Sequence, residues 1–148
     1  MSTVLEKLLY SVLSAGLALG VSSKTVYEQV DKLVGSKGTI AVNGCGTPTG
    51  HFAHSVIFFI LLFTMMIIFN IVKSPEHKKS LGLMAKYSFY GTLIYLIVTS
   101  TEMYKLVGGL TGGATADANG CATMSGLLLH GLFYFLIIFC VMFFPRDC

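Results

Sequence analysis

Two cysteines and two histidines are the residues whose types and spacing could support chemistry in this chain. Cys45 and Cys121 each follow an Asn-Gly pair, and His54 and His130 each lie nine residues further along. A cysteine pair can form a disulfide or bind a metal, and buried histidines can ligate haem iron or zinc. Because the four residues belong to two copies of one motif, a bond or ligand set shared between the copies is the first hypothesis.

A disulfide between Cys45 and Cys121 is the interpretation that we favour for the cysteines. Related copies of a motif can bring equivalent residues together, and a disulfide requires Cα atoms within ~7 Å. The alternative is two free thiols that serve as small turn residues beside glycine. The sequence has no Cys-x-x-Cys pair, which argues against a thiol oxidoreductase. Zinc bound by both cysteines and both histidines is conceivable by number, but their spacing matches no standard zinc motif.

His54 and His130 lie about one turn inside apolar segments, where an ionisable residue is a functional hypothesis by default. Two histidines on facing helices could bind one haem iron, which would make the chain a membrane electron carrier. The interpretation that we favour is structural, with each neutral imidazole packed between helices and hydrogen-bonded to a loop carbonyl. We therefore expect no metal and no cofactor.

Other catalytic patterns are missing, and the composition indicates a membrane protein. The sequence has no Ser/His/Asp set, no HExxH and no phosphate-binding glycine loop, so neither an enzyme nor a small-molecule substrate is expected. Of 148 residues, 54% are hydrophobic and 11% are charged, whereas roughly a quarter are charged in soluble domains. The net charge of +3, without a long basic cluster, gives no basis for a nucleic-acid partner. The expected partner is the lipid bilayer.

Four apolar segments predict four transmembrane helices. They are residues 4–21, 51–72, 81–101 and 125–144. The second would extend about 33 Å as a helix, which is enough for a ~30 Å hydrocarbon layer. The first could instead be a signal peptide, but Glu6 offsets Lys7 near its start, which favours an uncleaved helix.

Two further features concern the first segment. Val26, Val30 and Leu33 recur at helical spacing, so we expect the first helix to continue beyond the bilayer. Gly16 and Gly20 form a GxxxG pair, which predicts close packing against a neighbouring helix.

An internal repeat at a spacing of 76 residues organises the sequence. Residues 43–69 align with 119–145 without a gap, with nine identities in 27 positions. The repeated motif comprises Gly44, Cys45, Thr47, Gly50 and His54 in the first copy, and Gly120, Cys121, Thr123, Gly126 and His130 in the second. Thr47 or Thr49, and Thr123 or Ser125, are expected to cap the following helix. Upstream, Lys32-Leu-Val-Gly35 recurs as Lys105-Leu-Val-Gly108, which implies three residues inserted in the second loop.

The repeat predicts an all-α, integral membrane four-helix bundle. Residues 1–148 would form a single domain, with repeat one at 4–72, a basic linker at 73–80 and repeat two at 81–144. Two helices per repeat place both copies in the same orientation, related by an approximate two-fold axis along the membrane normal. Six basic residues on the side of the termini against four on the loop side favour cytoplasmic termini. The small-residue-rich loop 108–124 is expected to be mobile unless a partner holds it.

The motif Gly-Cys-x-Thr-x-x-Gly-x-x-x-His-x-x-x-x-Phe resembles segments of small membrane proteins of the nucleocytoplasmic large DNA viruses, which often read GCPT…G…H. It occurs at residues 44–59 and 120–135, with Gly46 and Ala122 where that group often has proline. The resemblance implies a non-enzymatic structural protein of the inner virion membrane, derived from host endomembrane, that anchors capsid or minor capsid proteins. An accessory subunit of an organellar membrane complex is an alternative.

Overall fold

The computed structural model describes residues 4–35, 39–42, 45–73, 78–117 and 121–144. Most of these residues are helical, and the all-α prediction is confirmed. In chain order the elements are α1 Val4–Val21, α2 Lys24–Val34, β1 Ala41–Val42, β2 Cys45–Gly46, α3 Pro48–Val72, α4 Leu81–Val98, α5 Thr101–Leu110 and α6 Met124–Val141. The motif glycines Gly44 and Gly120 lie outside the described residues.

Four helices, α1, α3, α4 and α6, are long and apolar enough to cross a membrane. They correspond to the four predicted apolar segments, with ends that differ by a few residues. Large apolar side chains remain exposed along their outer faces, for example Ile60 at 55% and Ile97 at 62%. Such continuous apolar surface is unusual on a soluble monomer and is typical of helices that face lipid.

The long helices pack in two main pairs. α1 packs chiefly against α6 and α3 chiefly against α4, while the α1–α3 and α4–α6 contacts are smaller. Aromatic rings fill the space between the pairs: Phe58 stacks on Tyr95 with centroids 4.3 Å apart and meets Tyr134 edge-on at 5.8 Å. All three rings are fully buried. The consecutive long helices α1 and α3 therefore pack less against each other than against α6 and α4, respectively.

Polar contacts show which helix ends lie together. Lys73 after α3 pairs with Glu6 of α1 at 3.2 Å, and the Lys7 ammonium lies 4.0 Å from the centroid of the Phe143 ring after α6. The Asn70 side chain of α3 hydrogen-bonds the backbone of Lys79, just before α4. We call this group, the starts of α1 and α4 with the ends of α3 and α6, the terminal end. The opposite group, which includes α2, α5 and the β-ribbon, is the loop end.

The first helix ends at Val21 and does not continue as expected. Ser23 adopts an extended backbone, with φ of −69° and ψ of 143°, and its hydroxyl donates to the Gly20 carbonyl at 2.7 Å. α2 then begins at Lys24 as a separate helix. A similar break separates α4 from α5, where the Ser100 hydroxyl accepts the Met103 N–H at 3.2 Å. Serine competes for backbone hydrogen bonds, which ends one helix and begins the next.

The helix ends also correct the upstream register of the repeat. α1 and α4 are both 18 residues long, and α2 and α5 each begin three residues after them. This spacing matches Tyr27 with Tyr104, so the Lys-Leu-Val-Gly segments differ in register by four residues. Four residues are about one helical turn, which keeps similar residues on one face and explains the misleading match. The expected three-residue insertion does not fit these helix ends.

Gly16 and Gly20 do not make the expected contact between the described helices. Both are exposed on α1, and an added Cβ at either position would meet no atom within 4 Å. The buried face of α1 instead carries Ser11, Ser14, Ala15 and Ala18. The close approach occurs at Gly131 of α6, where an added Cβ would lie 2.5 Å from Leu19 Cδ2.

We expect Gly131→Ala to destabilise the protein and Gly16→Ala to preserve or raise its stability. The added methyl at position 131 displaces Leu19, at a cost of about 1–3 kcal/mol. Alanine at position 16 meets nothing and gains about 0.5–1 kcal/mol of helix propensity. Thermal unfolding in detergent, followed by circular dichroism, measures both. Equal melting temperatures for the two variants would contradict this packing.

Candidate functional site

The candidate site at the loop end is built around one covalent bond. Cys45 and Cys121 form a disulfide with their Cα atoms 5.5 Å apart. Cys45 lies on β2, which pairs antiparallel with β1 before α3 begins, and the bridge between Ala116 and Ala122 forms the corresponding hairpin before α6. The Asp117 carboxylate accepts the Cys121 N–H at 2.9 Å beside this bridge. The disulfide therefore joins two equivalent hairpins.

The motif threonines begin α3 and α6. The Thr47 hydroxyl accepts the Gly50 N–H at 3.0 Å and donates to the Thr39 carbonyl. The Thr123 hydroxyl accepts the Gly126 N–H, also at 3.0 Å. Each threonine thus satisfies a free donor of its helix and fastens the preceding hairpin to the first turn.

The motif glycines allow the hairpins to contact the helices closely. A Cβ added at Gly50 would overlap the carbonyl oxygen of Ile40, and one added at Gly126 would overlap that of Thr115. The same carbonyls accept the Thr47 N–H at 3.0 Å and the Thr123 N–H at 3.1 Å, so this backbone has little room to move away. The Thr-x-x-Gly spacing of the motif follows from this contact.

His54 and His130 connect the ends of the long helices. Both are buried, at 0% and 1% exposure. His54 Nδ1 lies 2.9 Å from the Val21 carbonyl oxygen, and His130 Nδ1 lies 2.6 Å from that of Val98. These carbonyls end α1 and α4, where the last C=O groups lack a partner within the helix. Because a carbonyl only accepts, each Nδ1 donates, and each histidine satisfies a group that would be costly to bury alone.

Two tyrosines that sequence reasoning missed cover the histidine rings. Tyr27 of α2 stacks on His54 with ring centroids 3.7 Å apart, and Tyr104 of α5 lies over His130 at 4.0 Å. Burial raises the pKa of both phenols, which keeps them neutral. Their recurrence in both copies was the available signal, but the Lys-Leu-Val-Gly match hid it. We call Val21, Tyr27 and His54 the first histidine cluster, and Val98, Tyr104 and His130 the second.

The arrangement favours a structural role for these histidines. Each imidazole has its own tyrosine and its own carbonyl, and each Nε2 lacks a hydrogen-bond partner in the described part of the chain. Over the same residues, the metal-compatible group found is Cys45, Asp117 and Cys121. Sulfur atoms in a disulfide are not thiolate ligands. The structure therefore does not assemble the zinc set of two cysteines and two histidines.

Residues 108–117 of the glycine-rich loop before α6 make hydrogen bonds within the chain. Thr115 is 2% exposed, and its hydroxyl donates to the Tyr104 carbonyl at 3.3 Å. The Gly113 N–H donates to the Gly108 carbonyl at 2.8 Å, with Gly113 at a φ of 87° that favours glycine. The loop thereby packs against α5 and the second histidine cluster.

We expect His54→Phe to lower stability and His54→Asn to restore part of the loss. Phenylalanine fills the space but leaves the Val21 carbonyl buried without a donor, which costs about 1–3 kcal/mol. Asparagine can place an N–H near the position of Nδ1. Thermal unfolding in detergent measures both, and His130→Phe with His130→Asn repeats the comparison in the second cluster. A phenylalanine variant as stable as the unmodified protein would contradict this role.

The disulfide predicts a specific pattern of fragments. If residues 74–77 are replaced by a protease recognition sequence, cleavage separates Cys45 and Cys121 onto different fragments. We expect one band on a non-reducing denaturing gel and two bands after reduction. Cys140→Ser should leave this result unchanged, whereas Cys45→Ser should give two bands in both gels. If the cleaved protein with all four cysteines gave two bands without reductant, the disulfide would be disproved.

Comparison with protein-family models, with curated proteins and with solved structures finds no match to this chain.

Proposed function

We propose that this protein is a non-enzymatic structural membrane protein that spans the bilayer four times and presents an ordered loop end to neighbouring proteins. We further propose that residues 4–72 and 81–144 are tandem repeats in the same orientation within one bundle. The supporting features are four long apolar helices, the packing of α1 on α6 and of α3 on α4, and the equivalent contacts of the two histidine clusters.

One observation carries the proposal: a disulfide and two buried histidine hydrogen bonds hold the parts of the loop end together. A disulfide joins the two β-hairpin segments. A histidine hydrogen bond joins α3 to the end of α1, and another joins α6 to the end of α4. A surface that is already ordered loses little conformational entropy when a partner binds. Rigid display of a surface at a membrane suits adhesion between layers.

The orientation that we propose places the loop end on the side of the membrane where the neighbouring proteins lie, opposite the terminal end. The Cys45–Cys121 disulfide then requires an oxidising compartment, or a dedicated oxidase, on the side of the loop end.

The partner that we propose is a capsid or minor capsid protein, at an internal virion membrane. Support comes from the resemblance of the repeated motif to membrane proteins of large DNA viruses, together with the ordered loop end. The second candidate is a haem electron carrier, favoured by the Nε2 atoms of His54 and His130, which have no hydrogen-bond partner among the described residues. It requires a Soret absorption that His54→Ala or His130→Ala removes.

The test is amine-reactive cross-linking of native membranes or particles that contain the chain, followed by mass spectrometry. We expect links from the loop-end residues Lys24, Lys32 and Lys105 to a capsid protein, because this end is the proposed docking surface. Lys105→Arg should remove the link at that position and retain the others. Links confined to the terminal end, or to subunits of a respiratory complex, would overturn the proposal.

Orientation is measured in the same membranes with an impermeant maleimide. Cys140→Ser and Cys148→Ser remove the remaining thiols, and the disulfide does not react. Lys24→Cys and Lys105→Cys should then label from one side and Lys73→Cys from the other. Labelling of positions 24 and 105 from opposite sides would refute the proposed arrangement of repeats.

A further inference from the structure

A cavity of about 250 Å³ lies between the four long helices toward the terminal end. Every long helix contributes to it: Ser14 from α1, Leu62 from α3, Ile94 from α4, and Tyr134 and Ile138 from α6. Most of its lining is apolar, and the methionines Met65, Met66 and Met142 add flexible side chains that can adapt to a hydrocarbon. The interior of the cavity therefore suits an apolar, flexible ligand.

The mouth of the cavity carries positive charge. Lys7, Lys79 and Lys86 line it together with Tyr10, Tyr87 and Tyr90. The lysine ammonium groups lie over aromatic rings, with Lys79 Nζ 5.3 Å from the centroid of Tyr87 and Lys86 Nζ 5.9 Å from that of Tyr90. These cation–π contacts position the lysine side chains, so that their ammonium groups lie at the mouth of the cavity.

We propose that this cavity is a binding site for an anionic membrane lipid, with one acyl chain between the helices and the headgroup on Lys7, Lys79 and Lys86. An apolar interior below a rim of three cations is complementary to a molecule with a hydrocarbon tail and a negative head. Lysines at a membrane surface attract anionic lipids, and tyrosines favour the headgroup level. The inference rests on the bilayer-spanning part of the proposed function, and not on a particular partner.

The size of the cavity favours a single chain. At about 250 Å³ it is smaller than most small-molecule sites, which hold ~300–1,000 Å³. A helix of a partner protein, ~10 Å wide, does not fit. An extended peptide would bring backbone groups that the apolar lining cannot satisfy. A hydrocarbon chain needs no hydrogen-bond partner.

The experiment uses the natural absence of tryptophan. Tyr90→Trp places a fluorescent reporter at the mouth of the cavity, and Phe89→Trp places one at similar depth on the same helix, outside the cavity lining. Each full-length variant is reconstituted in mixtures of phosphatidylcholine and phosphatidylglycerol in which one lipid carries bromine on its acyl chains. Bromine quenches tryptophan on contact, so the data give the relative affinity of the two lipids at each reporter.

We expect the Tyr90→Trp reporter to prefer phosphatidylglycerol by roughly fivefold or more, the effect of one lysine near an anionic lipid. The Phe89→Trp reporter should show a ratio near unity. Adding Lys7→Gln, Lys79→Gln and Lys86→Gln should abolish the preference. The matched control, Lys24→Gln with Lys32→Gln and Lys105→Gln, removes the same charge at the loop end and should retain it.

Three results would overturn the site. An equal preference at both reporters would show a general surface effect, and loss of the preference in the loop-end control would show the same. A ratio near unity at Tyr90→Trp, with normal quenching at both reporters, would remove the lipid site and leave the membrane proposal intact. Absence of quenching at both reporters would overturn membrane insertion and this site with it.

Discussion

The carbonyl groups that end α1 and α4 are the constraint on which the loop end depends. A helix leaves its last C=O groups without partners, and burial makes each unsatisfied group costly. His54 and His130 supply the missing donors from the first turns of α3 and α6. Because each histidine must reach the end of a different helix, these two bonds set how α1 meets α3 and how α4 meets α6.

Two tyrosines, two glycines and the disulfide support these hydrogen bonds at the loop end. Tyr27 and Tyr104 stack on the imidazoles and hold their rings in place. The hairpins approach the helix starts closely enough that only glycine fits at positions 50 and 126. The Cys45–Cys121 disulfide then joins the hairpins across a sequence separation of 76 residues, a long loop whose closure costs the unfolded chain conformational entropy. These short-range contacts and one covalent bond join the two β-hairpin segments to the starts of α3 and α6.

The two ends of the molecule differ in chemistry. The loop end is held by a disulfide and by hydrogen bonds, including those from backbone N–H groups to the Asp31 and Asp117 carboxylates, and its Lys105–Glu102 ion pair is exposed. The terminal end has an ion pair between Lys73 and Glu6, lysines over aromatic rings, and a cavity between the helices. In the proposed orientation the first faces a protein layer and the second faces anionic headgroups. In the two proposals, one small bundle binds a protein at its loop end and a lipid at its terminal end.

The sequence by itself determined the four long apolar helices, the repeated motif and the positions of the two motif cysteines, because long, mostly apolar segments and identical polar positions can be recognised without knowing how the helices pack. It did not reveal which face of α1 turns inward. Small residues recur at helical spacing on two faces of α1, with Ser11, Ser14, Ala15 and Ala18 on one and Gly16 and Gly20 on another, and packing turns the glycines outward. The stacking of Tyr27 and Tyr104 on the imidazoles and the carbonyl partners of the histidines were decided by tertiary structure, because each depends on the rotation of one helix against another.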